Sequence, residues 1–189
     1  MAARFLATAT AVELLRSVFS ESSLFERALR LIERIDHVGF MAPAQAARDL
    51  GSAARTVGFD WSQQTFPSTI LARELAAAAG REQVPTTIFK ARGASAGHAT
   101  PGVEVAMPGE VEPEVVRGWI REGRGEHVAF SVGSPSHFGP LRRLMEEAGF
   151  GMPEFMGGAP LTNPFERITT AYFDRRSGPR LRLEFCHYG

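Results

Sequence analysis

Short runs of alternating apolar and polar residues recur along the chain and predict β-strands, because successive side chains of a strand point to opposite faces. The run IDHVGFMA (35–42) is followed by a helical pattern in PAQAARDLGSAARTVGF (43–59). Strands are then predicted in DWSQQTF (60–66), PTTIFKARG (85–93) and PGVEVAMPG (101–109), and a further helix in PSTILARELAAAAG (67–80), which Gly80 closes. This part of the chain therefore predicts a β-α-β-β-β order with one added helix.

The same order restarts at the strand EHVAFSV (126–132). A helix is predicted in SHFGPLRRLMEEAGF (136–150), a strand in MPEFMGG (152–158), a loop in APLTNP (159–164), and two closing strands in RITTAYFDRR (167–176) and RLRLEFCHYG (180–189). We therefore predict an α+β fold in which one domain, residues 34–189, contains two βαβββ modules. Module one spans 34–110, a helical connector spans 111–123, and module two spans 124–189.

Residues 1–33 are predicted to be an N-terminal helical extension. Apolar residues recur at helical spacing between residues 10 and 34, which indicates one or two amphipathic helices interrupted near SESS (20–23). A serine of that stretch is predicted to cap the second helix. We expect the extension to pack on the domain or to contribute to a dimer contact.

The composition narrows the function classes. The chain of 189 residues has 21 basic and 21 acidic residues, so its formal net charge is zero and no basic surface for nucleic acid is expected. Lys90 is the only lysine, which we interpret mainly as a coding bias towards arginine. The single cysteine, Cys186, excludes an intrachain disulfide, and no apolar run approaches the roughly 20 residues that cross a bilayer. We therefore expect a cytoplasmic protein with no membrane partner.

One histidine and one glutamate stand out in each module. His37 and His127 lie on the first strand of their modules, and Glu104 and Glu184 lie on the last. Alternation places each of them on the face opposite to the bulky apolar side chains, with mostly small neighbours, among them Gly39, Ala106, Ala129 and Ser131. This arrangement predicts a sheet curved around a cavity, into which the polar groups project.

A metal ion would explain these glutamates. A buried lone carboxylate costs several kcal/mol, and a divalent cation removes that cost. Two imidazoles and two carboxylates suit Fe, Ni, Zn, Co or Mn. Any one of the four residues, taken alone, is more simply explained as a satisfied polar group or a solvent-facing charge, so the prediction rests on the repeated set.

The segments DHVGF, VEVAM, EHVAFSV and RLEFCHY together resemble the vicinal oxygen chelate superfamily, which includes glyoxalase I, extradiol dioxygenases and bleomycin resistance proteins. The resemblance implies a half-open barrel around one divalent metal ion. It implies that the metal ligands are His37, Glu104, His127 and Glu184, and that Glu104 or Glu184 acts as the catalytic base. It also makes a homodimer an alternative to a monomer.

The predicted function is that of a metal-dependent enzyme that chelates a small oxygenated substrate and catalyses proton transfer, as a lyase or isomerase. The alternatives are a non-haem Fe(II) dioxygenase and a binding or resistance protein without catalysis. Among other residues, His98 is a candidate mobile acid/base, His137 and His187 are predicted to be structural, and Arg182 is a candidate clamp for an anionic substrate group.

Overall fold

The computed structural model describes residues 11–56, 59–66, 70–93, 101–163 and 167–189. The chain divides into two compact units. The module-one unit is His37–Glu126, and the module-two unit combines Met1–Asp36 with His127–Gly189. The N-terminal extension thus belongs to the same unit as the second module, which sequence periodicity alone did not indicate.

The described chain starts with two helices and a strand: α1 (Ala11–Val18), α2 (Ser22–Leu31) and β1 (Ile32–Met41). The boundary between the units falls within β1, between Asp36 and His37. Two expectations about this region are wrong. Strand β1 begins at Ile32, three residues before the predicted Ile35. The predicted serine cap of α2 is absent, because the helix already starts at Ser22 and its N-cap is Glu21, whose side chain makes no capping hydrogen bond.

The module-one unit continues with helices and strands in the predicted order: α3 (Ala44–Thr56), β2 (Phe59–Phe66), α4 (Ile70–Ala79), β3 (Thr86–Gly93), β4 (Gly102–Pro108) and α5 (Pro113–Arg121). The strand order in this unit is β2-β3-β4-β1. Strand β1 runs parallel to β4, while β3 is antiparallel to both β2 and β4. The last strand of the module therefore lies beside the first.

Apolar packing fixes which face of the module-one sheet is covered. One cluster contains Val105 and Phe89 from the sheet with Ala42 and Ala47, and Val103 and Met107 pack against it. Ala47 lies on α3, so this helix covers the bulky face that alternation predicted. A second cluster joins α4 to α5 through the buried side chains of Leu75, Val116 and Trp119.

The module-two unit has an equivalent arrangement of strands. Its further elements are β5 (His127–Val132), a 3₁₀ turn (Pro135–His137), α6 (Phe138–Glu147), β6 (Phe150–Gly151), a 3₁₀ turn (Glu154–Met156), β7 (Leu161–Asn163), β8 (Ile168–Arg175) and β9 (Arg182–Tyr188). Its strand order is β5-β9-β8-β6, and β7 also pairs with β8. Strands β5 and β9 are parallel, so first and last strands are again neighbours.

Three phenylalanines fill the covered face of the module-two sheet. The rings of Phe130 and Phe185 stack with centroids 5.8 Å apart, and Phe173 meets Phe185 edge-on. All three are fully buried, as are Leu141 and Leu144 of α6. Because side chains alternate along a strand, this packing leaves His127 and Glu184 on the other face of the sheet.

The α+β fold class and the βαβββ order of both modules are confirmed, but two local predictions in module two are wrong. The predicted strand 152–158 contains a 3₁₀ turn, because Pro153 has no backbone N–H for a ladder and Gly157 adopts a left-handed φ of 65°. The predicted loop 159–164 contains β7, which pairs with β8. None of the helices in the described ranges is long and apolar enough to cross a membrane.

Candidate metal centre

His37 and Glu104 come together in the module-one unit because their strands are parallel neighbours. Gly39, two residues after the histidine, is the register partner of Glu104. Residues directly opposite each other share a face, so His37 and Glu104 project from the same side of the sheet. Nε2 of His37 lies 3.7 Å from Oε2 of Glu104, and the two side chains are only 11% and 14% exposed.

Lys90 is a third member of this group, and the sequence analysis missed it. Strand β3 places Lys90 directly opposite Glu104, and its Nζ lies 3.6 Å from the same Oε2 atom that faces His37. Two signals were available in the sequence. Lys90 is the only lysine of the chain, and it is the charged residue between apolar neighbours in TIFKA.

The module-two unit builds an equivalent pair with the same register. Ala129, two residues after His127, is the register partner of Glu184. Nε2 of His127 lies 2.9 Å from Oε2 of Glu184, and each side chain is 7% exposed. Both modules therefore place a glutamate opposite the second residue after a histidine. This repeated register is the structural basis of the repeat that was read from the sequence.

Two further polar groups lie on the His127 face of module two. The thiol of Cys186 donates to Oε1 of Glu184 over 3.1 Å. Ser131, the register partner of Cys186, is buried, and within the described part of the chain its hydroxyl has no hydrogen-bond partner. The face around Glu184 is therefore polar as well as buried.

A chain of contacts holds the His127 ring from the side. The ring meets that of Tyr172 edge-on, with centroids 5.7 Å apart. The guanidinium of Arg182 lies over the Tyr172 ring, 5.8 Å from its centroid, and donates to both carboxylate oxygens of Asp174 over 2.7 and 2.8 Å. Because both of these hydrogen bonds engage Asp174, Arg182 supports the aromatic ring rather than acting as an open clamp for a substrate anion.

The donor atoms of each pair suit a divalent transition metal. Imidazole nitrogen and carboxylate oxygen bind such ions at about 2.0–2.2 Å, so two ligands at right angles lie about 3 Å apart. The His127–Glu184 separation of 2.9 Å matches this value, and the His37–Glu104 separation of 3.7 Å fits a wider angle.

The remaining histidines take no part in these pairs. Nδ1 of His137 lies 3.2 Å from the carbonyl oxygen of Leu31, and Nδ1 of His187 lies 3.0 Å from that of Val132. Both contacts fit the predicted structural roles, since a ring N–H that donates to a backbone carbonyl anchors one element to another. His98 lies outside the described residues.

No protein-family model matches the sequence, and no curated protein matches it significantly. Solved structures do resemble it. A methylmalonyl-CoA epimerase aligns with a TM-score of 0.53 and 17% identity over 84% of this chain and 97% of its own. A variant of the Streptomyces coelicolor methylmalonyl-CoA epimerase, in complex with 2-nitronate-propionyl-CoA, aligns with a TM-score of 0.52 and 16% identity. That alignment covers 84% of this chain and 96% of the epimerase chain.

A variant of 4-hydroxymandelate synthase from Streptomyces coelicolor aligns with a TM-score of 0.51 and 14% identity, over 81% of this chain and 47% of that one. At identities this low the likeness is one of fold. The reaction of this chain therefore depends on its own side chains.

Proposed function

We propose that this chain, which has the vicinal oxygen chelate fold, is a divalent-metal-dependent enzyme of the glyoxalase-like type. It chelates a small oxygenated substrate and catalyses proton transfer, as a lyase or isomerase. The observation that carries the proposal is the repeated register: in each module a glutamate on the last strand lies opposite the second residue after a histidine on the first strand.

The proposed ligands are His37 and Glu104 from module one and His127 and Glu184 from module two. We propose that the two modules form a half-open barrel in which these pairs meet at one ion of Fe, Ni, Zn, Co or Mn. The low exposure of both carboxylates supports this, because two buried anions are compensated by one divalent cation. When bound, such an ion supplies Lewis-acid chemistry to the oxygens of a substrate.

The chain itself supplies the proton carrier. Glu104 and Glu184 are the proposed catalytic residues, since a carboxylate beside the reacting carbon can accept a proton on one oxygen and return it. The surroundings of the two differ. Glu184 accepts a hydrogen bond from Cys186, whereas Glu104 faces Lys90. Each glutamate would be replaced separately by glutamine, and solvent deuterium exchange into the substrate would be followed at a metal concentration that saturates each variant. The variant that binds metal but no longer exchanges would identify the glutamate that carries the proton.

Metal analysis of protein purified without added metal tests the proposal. We expect about one divalent ion per chain in the wild type, and loss of that ion in His127→Ala. The matched control is His137→Ala, which removes a histidine bonded to a backbone carbonyl in the same unit. Circular dichroism would verify that both variants fold. Undiminished metal content in His127→Ala would refute the ligand assignment.

A non-haem Fe(II) dioxygenase is the second candidate, and the position of Lys90 favours it. If Glu104 stays paired with Lys90, the remaining donors are two histidines and one carboxylate, the set typical of non-haem Fe(II) oxygenases. Iron in the purified protein together with substrate-dependent O2 uptake would support this candidate. Nickel, zinc, cobalt or manganese with no O2 uptake would support proton transfer.

The substrate is proposed to be a small molecule, by analogy with the epimerase solved in complex with 2-nitronate-propionyl-CoA. A homodimer and a cytoplasmic location remain predictions. Size-exclusion chromatography with light scattering would decide the oligomeric state of the full chain.

A further inference from the structure

We propose that the pocket between α2 and α6 binds a phosphate monoester, whose dianionic phosphate is held by Arg27, Arg30 and Arg143. These three arginines line a pocket of about 210 Å³ together with Leu31 and Pro140. All five residues belong to the module-two unit, and they lie on the two helices rather than on a strand that carries a proposed metal ligand. This binding site is therefore additional to the candidate metal centre and independent of the proposed function.

Helical periodicity brings the lining residues together. Arg30 and Leu31 follow Arg27 by three and four positions on α2, so all three lie on one side of that helix. Arg143 and Glu147 are four positions apart and share a side of α6 in the same way. The guanidinium of Arg27 donates to both carboxylate oxygens of Glu147. This contact joins α2 to α6 and turns the two arginine-bearing sides toward each other.

The arginines of the pocket differ in their partners. Glu147 is the partner of Arg27, and the hydrogen bond from Arg27, together with the charge of Arg143, lowers the pKa of the Glu147 carboxyl. The side chains of Arg30 and Arg143 make no hydrogen bond or ion pair with any residue in the described part of the chain. Two guanidiniums therefore keep their N–H donors available for a ligand.

The balance of charge around the pocket favours a doubly charged anion. Three guanidiniums line it, and the Glu147 carboxylate offsets one of them. The other acidic residues of α2 and α6 are Glu26 and Glu146. Neither lines the pocket, Glu26 is exposed to solvent, and Glu146 is paired with Arg142. Two positive charges thus remain for a ligand, and a phosphate monoester carries close to two negative charges at neutral pH.

Shape and chemistry agree with this class of ligand. A guanidinium presents its N–H groups as a planar fork that binds two phosphate oxygens at once. The apolar side chains of Leu31 and Pro140 are half-buried beside the arginines, where the carbon group of an ester would contact them. The volume lies below the roughly 300–1,000 Å³ of pockets for drug-sized ligands, so the pocket suits a small monoester.

The test measures the binding of three probes to the full chain. Phenyl phosphate has the proposed charge and an apolar ring, phenyl sulfate has the same ring with a single charge, and methyl phosphate has the charge without the ring. Isothermal titration calorimetry at low ionic strength and about pH 8, where the phosphate is dianionic, would measure each Kd.

The variants for this test are Arg30→Gln, Arg143→Gln and Glu147→Gln. Arg27 is left in place, because its substitution would also free Glu147. The matched control is Arg55→Gln, which removes an exposed arginine from α3 in the other unit. Circular dichroism would verify that every variant folds.

Arg30→Gln and Arg143→Gln are each expected to raise the Kd for phenyl phosphate about tenfold, because each removes charge-assisted hydrogen bonds to the phosphate. Glu147→Gln should lower that Kd about threefold, because a carboxylate no longer competes for Arg27. Arg55→Gln should match the wild type within about twofold, since its charge is distant and screened. Phenyl sulfate and methyl phosphate should each bind the wild type at least about threefold more weakly than phenyl phosphate.

Unchanged binding of phenyl phosphate in Arg30→Gln and Arg143→Gln would overturn the proposal. An equal weakening in Arg55→Gln would overturn it too, because the effect would then be one of net charge. His127→Ala, which removes a proposed metal ligand, should bind phenyl phosphate as the wild type does, and loss of binding there would assign the anion to the metal centre instead. Binding to vesicles of equal parts phosphatidylcholine and phosphatidic acid, without binding of phenyl phosphate, would replace the small molecule by a membrane surface.

Discussion

Oε2 of Glu184 lies 2.9 Å from Nε2 of His127 at the point where the last strand of module two runs beside the first. If the two residues are metal ligands, Glu184→Gln should weaken metal binding at least about a hundredfold, more than is typical for the loss of an outer-shell partner. An amide keeps the size of the side chain but lacks the negative charge that compensates the cation. Equilibrium dialysis with Zn²⁺ would measure the change.

The matched control for this substitution is Glu126→Gln, which removes the same charge from an exposed residue immediately before His127. It should bind Zn²⁺ as the wild type does. Equal affinity of Glu184→Gln and the wild type would show that Glu184 is not a metal ligand and that its contact with His127 is only an ion pair.

The pair formed by Asp174 and Arg182 should contribute to stability. Arg182 is 4% exposed, so Asp174→Ala would leave a buried guanidinium without its bidentate carboxylate. We expect a loss of about 1–2 kcal/mol in the free energy of unfolding, measured by urea denaturation, because Asp174 is 34% exposed and water can replace part of its interaction. Because Arg182 supports the Tyr172 ring beside His127, metal affinity should also fall in this variant.

The comparison variant is Glu147→Ala, which breaks the exposed ion pair between Glu147 and Arg27. Solvent screens such a pair, so the urea midpoint should hardly change. A similar loss of stability in both variants would contradict the importance given to the burial of Arg182.

The sequence predicted most of this fold because alternation is a local signal. Alternation located the strands that carry His37, Glu104, His127 and Glu184, although β1 begins earlier than predicted, whereas the parallel pairing and register of these strands come from the structure. Contacts that depend on the register between two strands could not be predicted from the sequence. Lys90 is distant from Glu104 along the chain, and only the pairing of β3 with β4 makes them neighbours.

The short elements of module two could not be predicted for a different reason. Strand β7 has only three residues, which is too short for a periodic pattern to show in its sequence. It is defined by its pairing with β8. In the neighbouring segment, Pro153 and Gly157 outweigh the apolar pattern that suggested a strand.

Tyr188 should make the protein sensitive to alkaline pH. Tyr188 is 37% exposed. Partial burial of its phenol raises the pKa of Tyr188, and the nearby Cys186 and Asp36 add to the shift. Its hydroxyl donates to Oδ2 of Asp36 over 2.6 Å. Because the raised pKa favours the protonated phenol in the folded state, stability is unaffected below the ordinary tyrosine pKa of about 10 and falls as the pH rises above it.

Tyr188→Phe should therefore be less stable than the wild type near pH 7, because it loses the bond to Asp36, but should lose less stability between about pH 10 and pH 12. Thermal unfolding across this range would show the difference as a shallower decline of Tm. Parallel declines in the two proteins would contradict the assignment to Tyr188.

The buried hydroxyl of Ser131 gives the opposite expectation from most core substitutions. Ser131 is 3% exposed, and its Oγ has no partner among the described residues. Such a group costs desolvation without a compensating bond, so Ser131→Ala should stabilise the metal-free chain by about 1 kcal/mol.

Ser134→Ala is the contrasting variant, because the Ser134 hydroxyl accepts a hydrogen bond from the backbone N–H of Ser136 and caps the 3₁₀ turn, so its loss should destabilise the chain. Urea denaturation would compare the two. If Ser131→Ala also destabilises, the hydroxyl binds a buried water or another polar group, and the face around Cys186 is then more hydrated than its burial suggests.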